Sequence, residues 1–99
     1  MIKHIVLFQM KKDVEPRVLE TELATIKVGF EALLGIVPTL RSIEIGINCN
    51  PSESYNLSLE ATFDDLEGLN AYAVHPDHQS VVKRVKAILN SRACVDYEI

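Results

Sequence analysis

Two histidines and a tyrosine crowd around one proline in the stretch Tyr72-Ala73-Val74-His75-Pro76-Asp77-His78, and a third histidine, His4, sits among apolar residues near the start. An imidazole titrates near neutrality and serves as a general base, and a phenol donates a hydrogen bond to an oxyanion as it forms. Taken singly, each has a plainer role: a histidine beside a proline caps a helix, and a tyrosine facing a core satisfies one hydrogen bond. Taken together, three such groups on one apolar layer are costly to bury unless they are paired or used. The expectation is that His78, Tyr72 and His4 act as catalytic groups in one pocket. Val6, Phe8, Ile26, Phe30, Leu57 and Leu59 would form its ligand-binding wall, and His75 would brace the helix break.

Other chemistries have weaker support. His75 and His78 with Asp77 and His4 could assemble a transition-metal site, but no HExxH or cysteine ligand set accompanies them. Glu44, Glu60 and Asp96 could serve a hard cation, although solvated strand faces explain them equally well. The expectation is therefore no metal. Glycines 29, 35, 46 and 68 form neither a GxGxxG nor a phosphate loop, and no cofactor is expected. No serine or cysteine carries the motif of an activated nucleophile, and Cys94 reads as a small core residue. Lys83, Arg84 and Lys86 read as a solvated basic face.

The elements that must position these groups follow from periodicity. Residues 2–10 read as a strand, with His4, Val6, Phe8 and Met10 on one face and Ile5 and Leu7 on the other. Pro16 opens a helix behind Asp13 and Glu15, and Leu19, Leu23, Ile26, Phe30, Leu33 and Leu34 form its apolar stripe. Gly35 suits a left-handed cap, and Pro38 forbids continuation. Residues 41–48 and 55–63 alternate as strands, the latter with Tyr55, Leu57, Leu59, Ala61 and Phe63 on one face. Asp64 would cap a second helix, with Glu67 as its box partner and Leu66, Leu69, Tyr72 and Ala73 facing inward. Pro76 breaks that helix and restarts it, burying Val81, Val82, Val85, Ile88 and Leu89, and residues 92–98 form the last strand.

The order βαββαβ is an α+β ferredoxin-like split βαβ: a four-stranded antiparallel sheet with helices on one face. Its other face carries Ile5 and Leu7 from an interior strand, with Val95 and Tyr97 from the last. Exposure costs about 1.5–3 kcal/mol per large aliphatic side chain, so a homodimer packed through the sheet face is expected, although Asn56, Ser58, Glu60 and Thr62 make that face partly polar.

Composition bounds the rest. A chain of 99 residues, 47% hydrophobic and 24% charged, reads as one domain over residues 1–99 with a thin core. A net charge of −4 argues against nucleic acid and against an anionic membrane surface as partners. The run Ile5-Val6-Leu7-Phe8 is too short for a signal-peptide core or a membrane span, and Cys49 and Cys94 form no CxxC. A cytoplasmic location with reduced thiols is the expectation.

Lys3-His4-Ile5-Val6-Leu7-Phe8, Ile36-Val37-Pro38 leading to Gly46, Thr62-Phe63, the His75-Pro76-Asp77-His78 signature and Val95-Asp96-Tyr97 occur in that order over nearly the whole chain. In these pieces the sequence resembles the stress-responsive α/β-barrel (Dabb) family of the dimeric α+β barrel superfamily. The resemblance implies a homodimer through the sheets and a cavity between sheet and helices. It also implies cofactor-free aldol or cyclase-like chemistry, as in a plant polyketide cyclase, on a hydrophobic carbonyl or aromatic ligand. His78 would be the base, Tyr72 would hold the carbonyl oxygen and His4 would orient the ligand. A pocket histidine of that cyclase corresponds to Leu57 here. A non-catalytic, stress-related small-molecule-binding protein and a cofactor-free monooxygenase of the antibiotic-biosynthesis type are the alternatives.

Overall fold

The structure, a computed structural model, describes residues Met1–Ile99. The elements run β1 (Ile2–Met10), α1 (Pro16–Glu31), β2 (Ser42–Ile47), β3 (Leu57–Phe63), α2 (Leu66–Val74), α3 (Pro76–Lys86) and β4 (Leu89–Glu98). The four strands form one antiparallel sheet in the order β2-β3-β1-β4. This is the ferredoxin-like arrangement, with its second helix split in two. β1 is interior, and its alternation puts Ile2, His4, Val6, Phe8 and Met10 under the helices. Val6 sits opposite Leu59 on one side and Cys94 on the other, and Phe8 opposite Leu57 and Arg92.

Glu15 starts α1 by accepting hydrogen bonds from the backbone N–H groups of Arg17 and Val18, with Pro16 following at the first helical position. Leu23, Ile26 and Phe30 then bury the helix face and Leu33 is buried just past its end, whereas Leu34, expected in the same stripe, is exposed. The helix has already ended at Ala32, so Leu34 belongs to a turn whose direction owes nothing to helical periodicity. Gly35 takes its positive φ of 89° inside that turn, not at the helix cap. At Gly29 a Cβ would lie 3.3 Å from a methyl of Val81, so the missing side chain lets α1 approach α3.

Further expectations are corrected. Asp65, not Asp64, caps α2: its carboxylate accepts from the N–H of Gly68, while Asp64 turns outward to pair with Arg41. With the cap one residue later, the third helical position is Gly68, so Glu67 has no reciprocal bond to make. The same shift leaves Leu66 exposed. β4 begins three residues earlier than expected, at Leu89, and Cys94 on it is exposed and not core. The helices pack over β1, β2 and β3, leaving the edge strand β4 outside their cover.

Replacing Asp65 with Ala is expected to cost about 1 kcal/mol of unfolding free energy, whereas Asp64→Ala leaves the thermal midpoint essentially unmoved. Denaturant titration of the two variants checks this, and the opposite ranking would restore Asp64 as the cap.

Candidate functional site

Pro76 has no amide hydrogen, so α2 cannot continue through it. The chain turns at His75, whose own N–H bonds the carbonyl of Tyr72 and whose Nδ1 accepts from the N–H of Asp77, capping α3. The break leaves the Ala73 carbonyl without a backbone donor, and two side chains donate to it instead, Gln79 through Nε2 and His78 through Nδ1 at 3.0 Å. A carbonyl only accepts, so the proton of neutral His78 sits on Nδ1 and Nε2 keeps its lone pair. Burial, the largest influence, lowers the His78 pKa below its ordinary 6.5, which keeps the ring an unprotonated base at neutral pH.

Tyr72 lies beside it, with ring centroids 4.2 Å apart. The two are not hydrogen-bonded to each other. The Tyr72 hydroxyl is buried and has no partner, which is costly for a phenol unless a ligand supplies an acceptor. Burial also raises the Tyr72 pKa, so the phenol remains a donor. His4, from β1, sits 6.4 Å from the Tyr72 ring and donates through Nδ1 to the Asp96 carboxylate on the neighbouring strand. That bond fixes its tautomer and leaves Nε2 as the second ring nitrogen.

These three residues line one cavity of about 230 Å³ between α3 and the β1–β4 pair. Val6, Leu59 and the stacked rings of Phe8 and Phe30 form its apolar wall, as expected, and the aromatics line the space without filling it. Ile26 and Leu57 do not reach it. Both are buried in the core, Ile26 on α1 and Leu57 two residues before Leu59 on β3. Val82, Val85, Lys86, Leu89 and Arg92 also line it. The spacing of His78, Val82, Val85 and Lys86 on one helix face could have indicated the first three of these, but nothing local marks Arg92.

The His75–His78–Asp77–His4 metal set is not assembled, because the ligand atoms of these four side chains do not converge. His4, Cys94 and Asp96 instead come within 4.8 Å of one another, with Asp96 engaged by His4. Burial and the Asp96 charge raise the Cys94 pKa, which disfavours a thiolate nucleophile there. Glu44 and Glu60 face each other across β2 and β3 on the open side of the sheet, away from the cavity.

Imidazole nitrogen NMR is expected to show neutral His78 protonated at Nδ1 and neutral His75 at Nε2, with His78 titrating below 6.5. A His78 that titrates above that value would contradict the buried, carbonyl-bonded geometry.

Comparison with known proteins places this geometry among relatives. The chain is 36% identical over 86 residues to an uncharacterized protein of Streptomyces coelicolor, covering 83% of this chain and 84% of that one. It is 30% identical over 100 residues to a stress-response A/B barrel domain-containing protein of Arabidopsis thaliana, covering 97% of this chain and spanning about half, 46%, of that longer protein. A dimeric protein of unknown function with a ferredoxin-like fold from Bacteroides fragilis superposes with a TM-score of 0.96 at 40% identity, over 99% of this chain and 95% of its own. The fold alone is shared with a hydroxynitrile lyase from Passiflora edulis (TM-score 0.79, 16% identity, 99% and 92% coverage) and an antibiotic biosynthesis monooxygenase (TM-score 0.79, 11% identity, 100% and 98% coverage). The fold thus does not fix the reaction. Residues 2–99 match the stress responsive A/B barrel domain, Dabb, and the chain belongs to that family.

Proposed function

We propose that the cavity binds a small hydrophobic carbonyl or aromatic ligand and that His78 and Tyr72 perform acid–base chemistry on it without a cofactor. The unpaired, buried Tyr72 hydroxyl carries this reading, because it is a donor aimed at an acceptor that the chain does not provide. His78 Nε2 takes a proton from the carbon beside the carbonyl. The released electron pair moves onto the carbonyl oxygen, and the Tyr72 hydroxyl holds the resulting oxyanion by a hydrogen bond. Return of the proton to carbon gives exchange, whereas attack of the enolate carbon on a second carbonyl forms a carbon–carbon bond, and the resulting alkoxide takes the proton back from His78 to complete aldol closure. His4, oriented by Asp96, positions the ligand. Binding without turnover is the second reading, favoured by the absence of a hydrogen bond between Tyr72 and His78.

The protein acts as a homodimer in this proposal, joined through the sheet face away from the helices. Leu7, Val95 and Tyr97 are exposed there, and the 40%-identical Bacteroides relative is described as dimeric.

Exchange of the methyl protons of acetophenone in deuterated buffer tests the chemistry. The wild-type chain should accelerate it, and His78→Ala and Tyr72→Phe should each reduce the acceleration about 10²-fold or more. The acid limb of the rate should have its midpoint below 6.5, because activity is lost as His78 gains its proton. An unchanged rate in either variant removes the pair from the chemistry. Acetophenone that shifts the His78 signals without exchanging would leave the binding reading. Sedimentation is expected to give twice the 11.1 kDa chain mass, and Val95→Glu should shift the equilibrium to the single chain.

A further inference from the structure

We propose that the cavity selects small carboxylates, with Arg92 and Lys86 receiving the carboxylate at one end while Tyr72 and His78 hold a carbonyl or hydroxyl oxygen at the other. The inference rests on the reading of this cavity as a ligand site and specifies what that ligand carries.

The chain has 14 acidic residues against 10 basic ones, yet no aspartate or glutamate lines the cavity, whereas His4, His78, Lys86 and Arg92 all do. Arg41 and Arg84 each spend two nitrogens on a carboxylate, of Asp64 and Glu22 respectively. Arg92 and Lys86 have no carboxylate partner. An unpaired guanidinium at the edge of an apolar cavity is a fork that matches a carboxylate in two parallel hydrogen bonds.

The placement of both cations follows from two independent elements. Arg92 lies on β4 directly opposite Phe8 of β1, so it shares the face that looks toward the helices. Lys86 is the last residue of α3 and follows His78 by two turns on the same helix face. Helical side chains lean toward the helix N-terminus, which carries the Lys86 ammonium back over the cavity. The aromatic series of Tyr72, His78, Phe30 and Phe8 runs from one end to the other, with neighbouring centroids 4.2, 6.2 and 5.9 Å apart. Phe8, at the far end of that series from Tyr72, is the cross-strand partner of Arg92, which sets the guanidinium at the end of the cavity away from the phenol.

The probes are 4-formylbenzoate and its neutral methyl ester, titrated into the full chain while the backbone amides of residues 72–78 are followed by NMR. The wild-type chain should bind the acid about tenfold or more tightly than the ester, as expected for a charge-assisted pair. Arg92→Gln should remove most of that preference without weakening the ester, Lys86→Gln should remove part of it, and Arg41→Gln, far from the cavity, should change neither. The preference should also shrink as salt is raised. Equal binding of acid and ester, with shifts centred on Tyr72 and His78, would overturn the carboxylate assignment and leave the cavity as a ligand site. Absence of shifts with both probes would overturn the two readings together.

Discussion

A backbone carbonyl released by a proline organises this site. Because Pro76 cannot donate to the carbonyl of Tyr72, the helix ends at Val74, and the carbonyl of Ala73 becomes available to a side chain. His78 takes it through Nδ1, which fixes the tautomer, aligns the ring beside Tyr72 and leaves the basic nitrogen unspent. Had the helix continued, that carbonyl would have been occupied by the N–H four residues on, and nothing would have held His78 in this orientation. The break also changes direction between α2 and α3, so Tyr72 comes from one helix and His78 from the next while both meet the same sheet.

The cavity exists because three strands are covered and the fourth is not. α1 and α2 seat their apolar faces on β1, β2 and β3, and α3 reaches toward the edge strand without closing on it. Along β4 the residues that face the helices include Arg92, Cys94 and Asp96, two of them charged and so unsuited to a sealed core. Asp96 instead anchors His4, and Arg92 turns a positive charge toward an otherwise apolar space. A polar edge strand thereby serves both to orient a buried histidine and to leave an entrance.

Much of the architecture was legible in the chain because it is set by short-range periodicity. The alternation of β1, the stripe of α1 through Phe30 and the punctuation at Pro16, Pro38 and Pro76 each reflect a local geometric demand. The cap of α2 was misread by one residue because Asp64 and Asp65 are chemically equivalent as caps, and only the pairing of Asp64 with Arg41 across the sheet edge distinguishes them. Tyr72, His78 and His4 were identifiable as candidates because polar groups on apolar faces demand an explanation. Ile26 and Leu57 were assigned to the wall from their faces alone, but a face says which layer a residue enters and not whether empty space lies next to it.

By itself, then, the sequence determined the element order, the faces presented by each element and the helix break that sets up the His78 base. These depend on the spacing of neighbours within a turn or a few strand residues. Tertiary structure alone decided that Asp96 would hold His4, that Arg92 would stand opposite Phe8, and that the Tyr72 hydroxyl would be buried without a partner. Each of those facts depends on strand register between residues 84 (Phe8 and Arg92) or 92 (His4 and Asp96) positions apart, or on where the packed layers fail to meet, and no local pattern encodes either.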